Sequence, residues 1–238
     1  MRQREKQDRV LEDILDEVLS FNYRSLRTLR DIFLKPGEVA QAFATGDRER
    51  YTPTMRVWFG VITWMFLLSI VWGGWGDVIW RLSDSAAPFF NFIRDTGRNE
   101  DAVRDAISTM GAILYVPFAA LFVIPGAFVL ARLNRSLTLV QSIQCYFIPV
   151  TAWSVSTMIM LTLGSFWQPA NDLAFIPNFT IYMLTGVPVL KAAFAKTWRG
   201  AVVKTLLMLL TVFLLTFLAR FCTFAASIVY ALVTVPGS

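Results

Sequence analysis

Residues 205–238 read TLLMLLTVFLLTFLARFCTFAASIVYALVTVPGS, and Arg220 is the only charged side chain among them. A helix needs roughly 20 apolar residues to cross a hydrocarbon core of about 30 Å, so a run of this kind belongs in a bilayer. Read as one helix, residues 201–235 would extend roughly 50 Å at about 1.5 Å per residue, too long for one untilted crossing. The junction Leu218-Ala219-Arg220-Phe221-Cys222-Thr223 nevertheless holds no Gly or Pro that would turn the chain. The stretch therefore predicts one long or bent helix.

Upstream, uncharged apolar runs extend over Val57–Gly76, Ala106–Ala131, Ser136–Asn171 and Leu173–Leu190. Together with the first stretch they predict an all-α fold: a polytopic transmembrane helical bundle of about five spans over residues 55–238. A cytosolic amphipathic helical segment over residues 1–54 precedes it. The composition agrees, with 55% hydrophobic and 16% charged residues and a mean hydropathy of +0.53. Met1–Ser20 lacks the apolar core of a cleavable signal, so insertion is expected to rest with the first span.

Charge is unevenly placed. Of the 39 Lys, Arg, Asp and Glu residues, 20 precede Met55, and Asp172 is the only acid from Ala106 onward. The net charge of +5 does not imply nucleic acid, because the cations flank apolar runs and form no continuous basic face. With the N-terminus inside, the cytosolic side receives Arg24, Arg27, Arg30, Lys35, Arg48, Arg50, Arg56, Arg132, Arg135, Lys191, Lys196, Arg199 and Lys204. The outer side receives Arg81, Arg94, Arg98 and Arg104, diluted by six acids in the same loop. This asymmetry predicts an N-in, C-out protein of a bacterial inner (cytoplasmic) membrane. Trp58 and Trp198 are expected at the inner interface, and Trp72, Trp75, Trp80 and Trp167 at the outer one.

Within the N-terminal segment, Val10, Leu11, Ile14, Leu15, Val18 and Leu19 recur on one helical face of Glu5–Leu19, opposite Asp13, Asp16 and Glu17. A second amphipathic helix is predicted over Tyr23–Leu34, with Leu26, Leu29, Ile32 and Phe33 set against Arg24, Arg27 and Arg30. Its basic flank suits an anionic leaflet, whereas the acidic first helix is expected to pack on the second, on cytosolic loops or on another protein. Pro36 starts a short helix, Gly37–Phe43, and Gly46 permits a tight turn after it. Tyr51, Arg48, Arg50 and Arg56 then sit where headgroup anchors belong, so the stretch reads as an elbow leading into the first span. Arg48, Tyr51 and Arg56 are also candidates for an anion, lipid or partner contact.

The residues Thr28-Leu29, Pro36-Gly37, Val39, Gly46, Arg48, Tyr51, Pro53 and Arg56 resemble an uncharacterised family of bacterial multi-pass membrane proteins that carry a domain of unknown function. The later Pro-containing helices are similar in layout to the Yip family of multi-pass proteins, which bind small GTPases in eukaryotes. Many members of the bacterial family begin with a paired-Cys, metal-type motif. This chain has no Cys before Cys145, so that feature does not carry over. The resemblance implies fold and location, not an activity.

Catalytic chemistry finds few candidates. The chain has no His, which removes the commonest general base and metal ligand, and no predicted span contains Asp or Glu. Cys145 and Cys222 lie far apart in apolar runs and read as small hydrophobes. Gly73-Gly74 lacks the Lys and Ser/Thr of a phosphate loop. No cofactor, metal site or catalytic residue is predicted, and an enzyme is not expected. Arg220 has two readings: a cation snorkelling to the outer headgroups or Asp172, and a contact to an anion, a lipid headgroup or a partner carboxylate. Pro117, Pro125, Pro149, Pro177 and Pro188 interrupt the middle spans, and Gln141, Gln144, Asn178, Thr180, Tyr182 and Thr185 either line a small cavity or bond between helices.

The expected function is that of a non-catalytic integral membrane protein, an accessory subunit or scaffold. Its expected contacts are the lipid bilayer and a protein partner, reached through the N-terminal helices or the 77–105 loop. The alternative is a small transporter, channel or lipid-handling protein that uses the kinked helices and Arg220.

Overall fold

Helix boundaries follow from short-range signals in the chain. The computed structural model describes residues 23–47, 49–68, 97–134, 137–167 and 169–237. Among them the regular structure is helical: α1 Tyr23–Leu34, α2 Pro36–Thr45, α3 Thr54–Leu68, α4 Glu100–Val123, α5 Gly126–Leu133, α6 Leu139–Phe166, α7 Pro169–Leu173, α8 Phe175–Ala193 and α9 Trp198–Thr234.

Pro36 opens α2 with a pre-set φ, and Gly46 closes it in the left-handed region at φ 84°. The Gly46 N–H reaches the Phe43 carbonyl at 3.2 Å and the Asp47 N–H reaches the Ala42 carbonyl at 2.8 Å, a Schellman-type end. Asn99 caps α4 by accepting from the Ala102 N–H. Thr138 and Gln141 form a reciprocal capping box at the start of α6. α9 runs for 37 residues as one helix, so the structure has no turn at Arg220.

The chain divides into two compact units, one of Met1–Met65 with Gly126–Leu210 and one of Phe66–Pro125 with Thr211–Ser238. In the first, α2 packs between α6 and α8, and α6 also packs on α5 and α8. Small residues allow the close approach of α2: a Cβ on Gly37 would lie 3.5 Å from the Pro188 carbonyl oxygen. Val39, Ala40, Phe43, Val57, Trp58, Phe147, Ile148 and Val189 are buried in this unit. The second unit centres on Val103 and Ile107 of α4 against Ala231 of α9, with Phe224, Ile228 and Leu232 around them. Arg98 donates to the Leu232 and Val235 carbonyls at the end of α9, where a cation complements the helix dipole.

The count of five spans is not supported. Among the described residues, α6 and α9 are long and apolar enough to cross a membrane, and a third span results if the bent pair Glu100–Tyr115 and Pro117–Leu133 is one crossing. The described part of the first expected span, α3, has 15 residues, short of the roughly 20 that a crossing needs. α8 has the length, with 19 residues, but Asn178, Thr180, Thr185 and Lys191 dilute its apolar character.

The predicted helix Glu5–Leu19, residues 77–96 of the 77–105 loop, Gly73-Gly74, Trp72, Trp75 and Arg135 lie outside the described residues, as does the side chain of Asp172.

Candidate functional site

The segment from α1 to the start of α3 forms the elbow expected from Pro36, Gly46 and Tyr51, held by side chains that satisfy backbone groups at its bends. On α1, the Thr28 hydroxyl donates to the Arg24 carbonyl and accepts from the Thr52 N–H at 2.9 Å. Ser25 donates to the Thr52 hydroxyl, and Arg24 Nη2 donates to the Tyr51 carbonyl at 2.9 Å. These contacts satisfy backbone groups of a non-helical stretch that would otherwise lose water without compensation.

A second set fastens the elbow to α6. The Thr54 N–H donates to Gln144 Oε1 at 2.6 Å, and the Thr54 hydroxyl donates to the Gln144 carbonyl. Gln141 Nε2 donates to the Ala44 carbonyl at 2.9 Å near the end of α2. Deeper in, the Trp58 indole N–H donates to Ser154 Oγ at 3.1 Å while its ring lies 4.9 Å from that of Phe147. The Trp58 side chain is thus part of the core and not of an interfacial belt. Trp198 and Trp167, at the start of α9 and the end of α6, are exposed as belt residues require.

Charges ring the elbow. Arg30 donates twice to Asp31 Oδ1, at 2.9 and 2.8 Å. The Asp31 side chain is 5% exposed against 64% for Arg30. This charge-assisted pairing raises the Arg30 pKa. Glu38 takes both Lys35 and Arg50 at 3.3 Å, and the Arg50 guanidinium stands 5.3 Å over the Tyr51 ring. Tyr51 is fully buried beside Phe43, and burial raises its phenol pKa, with Arg50 opposing and the Asp31 carboxylate adding to the shift.

The sequence candidates therefore occupy different surroundings. Tyr51 faces inward, where its ring packs the elbow. Arg56 is exposed on the first turn of α3, Arg220 is exposed on α9, and Arg48 lies outside the described residues. The apolar face predicted for α1 is largely turned outward. Ile32 is buried, but Leu26 and Phe33 are exposed, while Ser25, Thr28 and Asp31 are buried in their place. The physical reason is that each of these polar side chains has a hydrogen-bonding partner: Ser25 and Thr28 bond to Thr52 in the elbow, and Asp31 accepts from its neighbour Arg30.

Polar residues of the apolar helices act mainly between or within helices. Gln141 and Gln144 hold the elbow, Asn178 Nδ2 donates to Thr157 Oγ1 at 3.1 Å, and the Thr185 hydroxyl donates to its own helix at Ile181. Asn134 and Lys204 donate to the Ala193 and Phe194 carbonyls at the end of α8. Within the first unit, a cavity of about 10 Å³ is lined by Cys145, Pro149, Tyr182, Gly186 and Thr205, among others. The buried Tyr182 hydroxyl has no hydrogen-bond partner among the described residues. A space of this size holds about one water.

The sequence did not disclose that Ser25 and Thr28 bond to Thr52, or that Thr54 bonds to Gln144. Gln141 and Gln144 stood out as polar residues in an apolar run, but the partner of Gln144 is 90 positions away.

Residues 24–66, which include most of α1 and all of α2 and the elbow, match a family described as "Protein of unknown function (DUF3667)". The match supports membership of the elbow segment in an uncharacterised domain family. No curated protein matches the chain. No solved structure matches it either.

Proposed function

We infer that this chain is a non-catalytic integral protein of a bacterial cytoplasmic membrane, an accessory subunit or scaffold, with its N-terminus in the cytosol and its C-terminus outside. The observation that carries the reading is the use of the elbow's polar side chains. Thr28, Thr52, Thr54, Gln141 and Gln144 all bond to the chain itself, so this segment fixes the geometry of a helical platform. Two helices long and apolar enough to cross a membrane support the location. The orientation rests on the cations of the elbow, Arg132, Lys191, Lys196 and Arg199, and it has α8 cross back between α6 and α9 so that both of these begin in the cytosol.

A second reading, a small transporter, channel or lipid-handling protein, draws on the cavity beside Pro149 and on the Tyr182 hydroxyl, which has no hydrogen-bond partner among the described residues. At about 10 Å³ the cavity is too small for a solute larger than water without movement of the helices.

Purification of the full chain from its native membrane, followed by mass spectrometry of protein and small-molecule fractions, tests the two. A stoichiometric protein partner lost when Gln144 is replaced is expected on the scaffold reading. A reproducible bound solute without a protein partner would favour the second.

A further inference from the structure

The outward face of α1 has a definite composition. At about 100° per residue, Phe33, Leu26, Arg30, Tyr23, Leu34 and Arg27 follow one another around roughly one third of the helix circumference. All six are exposed: Tyr23 by 84%, Leu34 by 69%, Leu26 by 54% and Phe33 by 36%, with both arginines also at the surface. Ser25, Thr28, Asp31 and Ile32 occupy the opposite arc and are buried. The helix is thus amphipathic in the reverse sense to a globular surface helix: hydrogen-bonded polar groups face the protein, and an apolar stripe carrying arginine faces away.

The position of this stripe is also defined. The elbow is bonded to the first turns of α6, through Gln141 and Gln144, and α6 is long and apolar enough to cross a membrane. Arg132, Lys196 and Arg199 are exposed near the ends of α5, α8 and α9 that meet in the same unit, where Asn134 and Lys204 cap α8. Aromatic, aliphatic and arginine side chains together at the end of a crossing helix match the chemistry of a headgroup layer, with apolar groups at the acyl boundary and guanidinium groups on phosphate. A second copy of α1 is a poorer fit, because a two-fold contact would bring cations of the same stripe together with water excluded.

We propose that α1 lies in the plane of the membrane with its Tyr23, Leu26, Phe33 and Leu34 stripe in the headgroup region of an anionic leaflet, and that Arg27 engages lipid phosphate. The inference rests on the membrane location argued above. It adds a lipid class and a site to that location.

The experiment uses the full chain in nanodiscs, with spin labels placed singly at L26C, F33C, E38C and L210C in a C145A/C222A background. Depth is read from collisions with oxygen and with an aqueous nickel chelate. In discs containing phosphatidylglycerol, the labels at 26 and 33 should report headgroup depth and the label at 38 water. In phosphatidylcholine alone, 26 and 33 should shift toward water. Arg27→Gln in the anionic discs should weaken the partition about fivefold, the worth of one cation near such a surface.

The label at 210, on an exposed position of α9, reports insertion independently. If 210 is not in hydrocarbon, the membrane reading itself fails. If 210 is in hydrocarbon while 26 and 33 stay in water in both lipids, only the α1 proposal fails. Shielding of 26 and 33 from both reagents regardless of lipid, relieved by removing residues 1–19, would overturn the proposal in favour of a cover supplied by the chain's own N-terminal segment.

Discussion

Thr54 gives both its backbone N–H and its hydroxyl to Gln144, 90 residues further along the chain. One side-chain and backbone acceptor pair on α6 thereby fixes where α3 begins. Gln144→Leu leaves the Thr54 N–H without its side-chain acceptor, which costs about 1–3 kcal/mol. Thermal unfolding in detergent should show a midpoint lower by several degrees, at about 2–4 °C per kcal/mol for a chain of this size. Gln144→Glu keeps the acceptor oxygen and should lose less. Equal losses in the two variants would mean that side-chain volume, not the hydrogen bond, matters here.

α8 and α9 approach each other at Gly186, where an added Cβ would lie 2.8 Å from Thr205 Cγ2. Gly186→Ala should therefore destabilise by about 1–3 kcal/mol, the usual cost of overpacking. Thr205→Ser removes the opposing methyl group and should recover most of that loss in the double variant. Additive effects in a double-mutant cycle would refute this contact as the cause.

Tyr51 supplies a pH dependence whose sign is set by its raised pKa. Its phenol is held neutral by burial, so the folded state retains the proton at a pH where the unfolded chain releases it. The contribution is fully present below the ordinary phenol value of about 10 and is lost as pH rises through the higher folded value. Unfolding midpoints between neutral and strongly alkaline pH should fall more steeply for the parent chain than for Tyr51→Phe. Parallel curves would show that the phenol does not titrate differently in the two states.

Arg220 stands exposed on an uninterrupted helix, 22 residues after Trp198 and therefore roughly 33 Å along it at about 1.5 Å per residue. That length matches the hydrocarbon thickness. Arg220→Lys should leave abundance and topology unchanged, because a snorkelling cation tolerates the exchange while a bidentate contact does not. Arg220→Leu should change the depth or tilt of α9, read as altered cysteine accessibility over Ala219–Ser227. A C-terminal reporter should be active outside the cytoplasm. Loss of a copurifying partner in the Lys variant, with topology intact, would make Arg220 a binding residue.

Several local features were legible without the fold. Pro36-Gly37 ended α1 at Leu34, and Pro36 with Gly46 bracketed α2. The absence of Gly and Pro around Arg220 foretold one continuous helix, since nothing there interrupts the hydrogen-bond ladder. The number of crossings was less legible, because an uncharged run in sequence does not reveal where a helix stops. The Ser136–Asn171 run is divided between α6, Leu139–Phe166, and the start of α7, Pro169–Leu173, and α8 is diluted by polar side chains such as Asn178, which bonds to Thr157 of α6.

By itself the sequence determined which segments are helical, where several begin and end, and that the chain carries more apolar surface than a water-facing fold requires. Tertiary structure alone decided that Trp58 and Tyr51 point inward, that Gln144 receives Thr54, and that α1 turns its polar face to the protein. The physical reason is that periodicity identifies an apolar face but not the medium that covers it. Burying Ser25, Thr28 and Asp31 is favourable only because Thr52 and Arg30 stand within hydrogen-bonding reach, and for Ser25 and Thr28 that partner lies in the elbow, folded back over α1.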